Sequence, residues 1–297
     1  MGEWLTIPNA LKRNGWSSWH LVLLAVLLPL GVLVTWRAWT DIFTIAWVDE
    51  DQSHILLVPI IFAWLVWVRR GRIRTTRPVG TWLGPLVIAA GWLISWYGFN
   101  NAVQSFWHGG SLMIVLGCVI CATGIEIFWR FLPAVVLLGF LIPVPGLIRL
   151  EISLPMQTAT AAVTHEFFAV LGYHVPRSGN MLTINGVPVG IADACNGLRM
   201  VFALGLVSYA FAFGVPLRWY VRAAVIGLSP ISAIACNVLR LLPTVWFYGY
   251  LPRQWADVFH DYAGWPMLGL ALLLLIGVVR LLRWALIPVS PFTLAYD

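Results

Sequence analysis

The chain has 297 residues, 60% of them hydrophobic and only 10% charged, against roughly 25% charged in ordinary soluble domains. That balance excludes a water-soluble globular protein, whose surface could not hide so much apolar area. The net charge of +6 does not mark a nucleic-acid-binding surface, because the arginines are scattered between apolar runs instead of gathered on one soluble domain.

Apolar runs of about 20 residues, each long enough to cross roughly 30 Å of hydrocarbon as a helix, recur along the chain. Backbone groups in lipid must be satisfied internally, and the alternating segments of about ten residues that a barrel needs are missing. The expectation is therefore an all-α polytopic membrane protein, a single integral membrane domain over residues 1–297. The pattern places about eight transmembrane helices, near residues 19–40, 54–69, 81–98, 109–128, 131–149, 197–215, 222–243 and 264–284. The first follows Lys12 and Arg13 but is too long for a signal peptide and lacks a small-x-small cleavage site. The second is short, and Pro143 and Pro145 near the end of the fifth predict a tilted or broken span.

Orientation follows from the basic residues, which in short loops collect on the cytoplasmic side. In an eight-span arrangement Lys12, Arg13, Arg69, Arg70, Arg72, Arg74, Arg77, Arg130, Arg218, Arg222, Arg280 and Arg283 share one side, which puts both termini in the cytoplasm. Asp41, Asp49, Glu50, Asp51, Glu151, Asp193, Asp257 and Asp261 fall on the other, with Arg149, Arg177 and Arg253 as basic exceptions. The longest non-spanning stretch, near 150–194, is then extracytoplasmic. Its first half, 150–173, mixes apolar residues with Gln157, Thr158, Thr160, Thr164, His165 and Glu166, which suits an interfacial helix. Its second half, 175–191, reads as a small β-hairpin turning at Asn185-Gly186.

Four cysteines are present. Cys118 and Cys121 form a C-x-x-C, but mid-span among aliphatic residues they read as packing, as does Cys236. Cys195 differs: Asp193, Asn196 and Arg199 surround it at the start of the sixth span. A helix N-terminus and a nearby cation are what lower a thiol pKa and supply a thiolate. Arg240, flanked by Leu239 and Leu241, is costly in a membrane and calls for a polar partner; Asn237 shares its helix face. His260, between Phe259 and Asp261, is expected in the outer loop that enters the eighth span. Three separate spans would thus bring Cys195, Arg240 and His260 to one outer leaflet as nucleophile, oxyanion partner and general acid or base. His54, His108, His165 and His174 would lie on the same side, and spacing alone does not choose among them.

With these motifs in hand, the chain resembles the exosortase and archaeosortase family of membrane-embedded cysteine transpeptidases. The likeness rests on Asp51-Gln52-Ser53-His54 with Val58-Pro59, on Ala194-Cys195-Asn196-Gly197-Leu198-Arg199, on Asn237-Val238-Leu239-Arg240, and on His260 with Gly264. It departs at Asn196, where the family often has Ser, and at Gln52 and Ile55, where it often has Tyr and Gly. The resemblance implies Cys195, Arg240 and His260 as catalytic residues, supported by Asn196, Arg199, Asn237, Asp193 and His54, with no metal or cofactor. It implies as substrates exported proteins bearing a C-terminal Pro-Glu-Pro-like motif (the PEP-CTERM signal), a transmembrane helix and a basic tail, in contact with membrane lipid and without nucleic acid. Cleavage at the extracytoplasmic face of the inner membrane would be followed by transfer to a surface acceptor, or by hydrolysis. Two other readings remain from the residues: a transporter or channel with Arg199 and Arg240 lining an anion path, and a quinone-linked thiol oxidoreductase using Cys118 and Cys121.

Overall fold

A computed structural model describes residues 15–191 and 198–284, in two compact units, Met1–Pro145 and Gly146–Asp297. Within the first unit, helix α1 (Ser18–Val34) starts with a capping box: the Ser17 hydroxyl accepts the Trp19 N–H, and the Ser17 N–H meets His20 Nδ1 at 3.0 Å. The expected first span does not run straight. It breaks by 71° at Thr35 into α2 (Trp36–Val48). The Thr35 hydroxyl donates to the Gly31 carbonyl (2.7 Å) and accepts from the Trp39 indole (2.8 Å), supplying side-chain bonds where the ladder is interrupted.

A 3-10 turn (Glu50–Leu57) leads into α3 (Val58–Val68), with Pro59 in its first turn, where a missing N–H is harmless. Helices α4 (Leu83–Asn100) and α5 (Gln104–Thr123) form an antiparallel pair. Gly84, Gly91 and Gly98, seven residues apart, are all buried. A Cβ on Gly91 would stand 2.8 Å from the Gly110 carbonyl and 2.9 Å from the Ile114 nitrogen, so the backbones approach as only a small residue permits. The C-x-x-C cysteines belong to this packing, Cys118 against Gly31 and Cys121 against Gly84, and both are free thiols. After Gly124 the chain forms α6 (Ile125–Arg130), α7 (Leu132–Leu138) and a 3-10 turn (Gly139–Leu141). Arg130 grips Glu126 with two nitrogens (2.8 and 2.6 Å), Glu126 accepts the Arg77 N–H (3.0 Å), and Arg72 donates to the Arg130 carbonyl (2.9 Å). The arginine-rich turn after α3 is thereby fastened to α6.

The second unit opens with α8 (Gly146–Val170), a longer element than the interfacial helix expected at 150–173. The expected hairpin is present as an antiparallel sheet β1 (Arg177–Ser178), β2 (Met181–Ile184) and β3 (Val187–Gly190), in that order. Asn185 (φ 52°) and Gly186 (φ 80°) both take positive φ, as a type I′ turn requires. Pairs Leu182↔Val189 and Ile184↔Val187 set the register. Their apolar face, with Ile191, packs on Ala161 and Phe168 of α8 and on Leu241 and Val245 of α10 (Trp219–Tyr250). Helix α9 (Leu198–Gly214), α10 and α11 (Arg253–Trp284) share a second apolar cluster containing Met200, Leu204, Val221, Val225 and Cys236, flanked by Met267 and Leu270.

Among the described residues, Glu50–Val68, Gln104–Thr123 and Trp219–Tyr250 are long and apolar enough to span a bilayer, and up to five spans result if two bent helix pairs each count as one. The count of eight is not confirmed. Apolar runs measured along the sequence pass over breaks such as Thr35, and α9 has only 17 residues.

Candidate active site

The second unit carries most of the expected constellation. Cys195 lies outside the described residues, as do Asp193 and Asn196, so the geometry is that of the groups around them. Ile191, fully buried, is the last described residue before that stretch, and its N–H donates to the Asn180 carbonyl at 3.0 Å. Leu198, also buried, is the first after it and starts α9, with Arg199 exposed beside it. These two anchors lead to one helix. Ile191 packs in the cluster that includes Leu241 and Val245, whereas Met200, next to Arg199, shares a cluster with Cys236. Arg240 lies between Cys236 and Leu241 on α10, half-buried.

Local sequence shapes α10 at this point. Pro243 has no N–H to offer the Leu239 carbonyl, which loosens the helix one turn beyond Arg240. Beside it, Thr244 donates its hydroxyl to the Arg240 carbonyl at 2.7 Å. Asn237, one turn earlier and 1% exposed, donates its amide to the Thr160 hydroxyl of α8 at 3.4 Å. The β-turn reaches the far end of the same helix, where the Asn185 amide donates to the Gly249 carbonyl (3.2 Å).

The sequence placed His260 in a loop; the structure places it in α11, which begins at Arg253, well before the expected start of the eighth span. Polar residues at Arg253, Gln254 and Asp257 hide the first turns from a hydropathy reading. The α10–α11 corner is tied by the Tyr248 hydroxyl donating to Asp257 Oδ1 (2.7 Å) and by the edge-to-face rings of Phe247 and Phe259 (4.6 Å). Arg240 is about ten residues before the end of α10 and His260 about seven after the start of α11. At 1.5 Å per residue the two lie within about 5 Å of one another in height along the helix pair.

Three other histidines are engaged elsewhere. His108, fully buried in α5, sits 2.9 Å from Asp41 Oδ2. His165 Nδ1 lies 2.8 Å from the Val175 carbonyl, where α8 meets the sheet. His54 is buried in the 3-10 turn of the first unit, its Nδ1 3.3 Å from the Asp51 carbonyl. The neighbouring Gln52 has a structural task, accepting the Val144 N–H (3.0 Å) between Pro143 and Pro145 and donating to Asp49 (3.2 Å). Among the described residues no group of three or more His, Cys, Asp or Glu side chains is placed to hold a metal.

Sequence reasoning took Gln157 and Thr160 only as polar residues of an interfacial helix, and gave neither them nor Asn180 a place at the site. Ser153, Gln157, Thr160 and Thr164 are all buried along one face of α8, and the Asn180 amide donates to Gln157 Oε1 (3.0 Å) while its carbonyl oxygen accepts from the Thr158 hydroxyl (3.1 Å). The helical spacing of these residues was the available signal.

No curated protein and no solved structure matches the chain. A sequence model described as transmembrane exosortase matches residues 39–277, a stretch that takes in His54, Cys195, Arg199, Asn237, Arg240 and His260. Covering most of the chain and joined to this helical architecture with apolar spans, that match makes the protein a member of the transmembrane exosortase family, the membrane sorting transpeptidases.

Proposed function

We propose that the protein cleaves the C-terminal sorting signal of exported proteins at the extracytoplasmic face and passes the new C-terminus to a surface acceptor, with Cys195 as nucleophile. The observation that carries the reading is the convergence on Arg240: the described chain on either side of residues 192–197 packs on α10, toward Leu241 on one side and Cys236 on the other. Cys195 is three positions before Leu198, a separation of at most about 11 Å.

Depth agrees with this assignment. A helix of 32 residues is about 48 Å long, so if centred in about 30 Å of hydrocarbon it overhangs by about 9 Å at each end. Arg240, about 15 Å from the end of α10, lies a few ångströms inside the boundary, within the reach of a snorkelling guanidinium. His260 falls at the boundary itself. A substrate helix halted at that level would present its flanking extended segment to the thiol.

In the reaction, the Cys195 thiolate attacks the scissile carbonyl carbon, and the electron pair moves to an oxyanion that Arg240 stabilises by charge-assisted hydrogen bonds. Collapse breaks the C–N bond, and His260 gives the leaving amine its proton. The acyl-thioester is then opened by a nucleophile of the acceptor, whose proton returns through His260, leaving the thiolate free. Water in the same position gives hydrolysis.

A cellular processing assay tests the reading: a tagged exported protein with a C-terminal motif, transmembrane helix and basic tail is co-expressed with wild type, Cys195→Ala, Cys118→Ala or Cys121→Ala. Shortening is expected with wild type and with both C-x-x-C variants, and none with Cys195→Ala. Equal shortening by Cys195→Ala would end the thiol mechanism. Loss confined to the Cys118 and Cys121 variants would favour the oxidoreductase. A second readout, the mass of the product's new C-terminus, separates transfer from hydrolysis.

A further inference from the structure

The phase of the ladder bonds decides where β3 points its backbone. The Ile191 N–H donates to the Asn180 carbonyl (3.0 Å), and the register continues through Met181↔Gly190, Leu182↔Val189, Thr183↔Pro188 and Ile184↔Val187. Bonded and non-bonded pairs alternate in an antiparallel ladder. Leu182–Val189 and Ile184–Val187 therefore exchange bonds across the hairpin, and residues 181 and 183 turn theirs toward β1. The Thr183 N–H donates to the Pro176 carbonyl (2.9 Å), as that phase requires. On β3 the same phase aims the Pro188 carbonyl, the Gly190 N–H and the Gly190 carbonyl away from β2. Pro188 has no N–H to waste at its outward position, which is where an edge strand tolerates proline.

The order β1-β2-β3 makes β3 an edge. Val187 and Pro188 are exposed and Gly190 half-buried, and among the described residues no backbone partner meets the three outward groups. The opposite edge differs. It has only two residues, and the Arg177 Nε closes on the Gly179 carbonyl (2.8 Å). An unpaired edge is a template for another extended chain, and folds usually shorten or cover it. The apolar face of this sheet is fastened to α10 at Leu241, the neighbour of Arg240, and at Val245, so the open edge lies on the helix that carries the candidate oxyanion partner.

We infer that the outer edge of β3 is a docking strand, to which the substrate polypeptide adds as an extended fourth strand. This rests on the peptidase reading given above, and it makes the recognised part of the substrate an extended segment instead of a helix. A chain laid antiparallel on β3 exchanges two bonds with Gly190 and gives a third N–H to the Pro188 carbonyl. The substrate residue opposite Gly190 must carry an N–H. Its two neighbours turn their backbone groups away and need none, so the edge reads main chain at alternate positions.

The test is a binding titration in detergent. The fluorescently labelled form of the tagged exported protein used for processing is added to purified full-length Cys195→Ala protein, alone or with a change at position 188 or 190. Gly190→Pro removes the outward N–H and breaks no bond to β2; it should raise Kd by about fivefold, the worth of one hydrogen bond. Gly190→Ala keeps the N–H and should bind as the parent does. Pro188→Ala adds an outward donor and should lower Kd by about two- to fivefold. Melting temperatures of the same samples read folding separately. A folded Gly190→Pro protein that binds like its parent overturns the docking edge; if that variant unfolds, a Pro188→Ala protein with unchanged Kd overturns it instead. In either case, processing by wild type leaves the peptidase reading standing. If wild type does not process the tagged protein and Cys195→Ala does not bind it, both fall.

Discussion

Gly249→Ala probes the docking of the sheet on α10 beside the candidate site. A Cβ at position 249 would lie 2.8 Å from both Cγ1 and Cγ2 of Ile184 and 3.2 Å from its Cδ1. Relaxed carbon pairs sit at about 3.5–4.0 Å, so the strand must retreat by about 0.7 Å or more. Ile184 is β-branched, nearly fully buried and held in register with Val187, so it has little rotamer freedom for escape. Overpacking of this kind costs about 1–3 kcal/mol, against a helix-propensity gain of up to about 1 kcal/mol for replacing Gly by Ala. The net expectation is destabilisation by up to about 2 kcal/mol. In an Ile184→Ala background the clashing atoms are gone, and Gly249→Ala should become neutral or stabilising by up to about 1 kcal/mol. Thermal unfolding of the four proteins in one detergent gives the double-mutant cycle. A Gly249→Ala change that stabilises equally in both backgrounds would refute the contact, and with it the argument that a small residue here seats the sheet.

Arg240→Lys should lose at least tenfold in substrate processing, because a point charge does not reproduce the planar fork of a guanidinium; near-normal turnover in the cellular assay would remove Arg240 from the mechanism. Glu126 is held below its usual value of about 4.5 by the Arg77 N–H first and then by the Arg130 guanidinium. A carboxylate depressed in the folded state stabilises it above the unfolded value and loses that contribution as pH falls through the folded one. Glu126→Gln should thus lower the melting temperature slightly at pH 7, with the gap to wild type closing below about pH 4.5; a gap independent of pH would count against the bonding to Arg77 and Arg130. Gly91→Ala forces apart the α4 and α5 backbones and should cost about 1–3 kcal/mol, read as a drop in melting temperature, with an unchanged value contradicting the close approach.

Much of the architecture was legible along the chain because its causes are local or compositional. Sixty per cent hydrophobic residues require a bilayer solvent whatever the packing, and the Asn185-Gly186 pair specifies its turn through the backbone freedom of those two residues alone. Pro143 and Pro145 end a helix by removing N–H donors, and the chain does break there, between the 3-10 turn ending at Leu141 and α8. The family resemblance was likewise readable, since it rests on short motifs at fixed order.

Tertiary structure decided what depends on partners distant in sequence. The break at Thr35 is invisible to hydropathy, because both flanking segments are apolar; it becomes evident only from the side-chain bonds to Gly31 and Trp39. His108, His165 and His260 looked alike as outer-face histidines until Asp41 was found against the first, the Val175 carbonyl against the second, and a helix packed on α10 under the third. Gln157 read as an ordinary polar residue of an interfacial stretch and Asn180 fell in the hairpin stretch; their pairing, across 23 positions of sequence, exists only once α8 and the sheet have packed. Composition and short motifs determine the solvent, the turns and the chemistry on offer, because those follow from each residue and its near neighbours. Which polar groups meet is set by helix faces, and no local pattern carries that information.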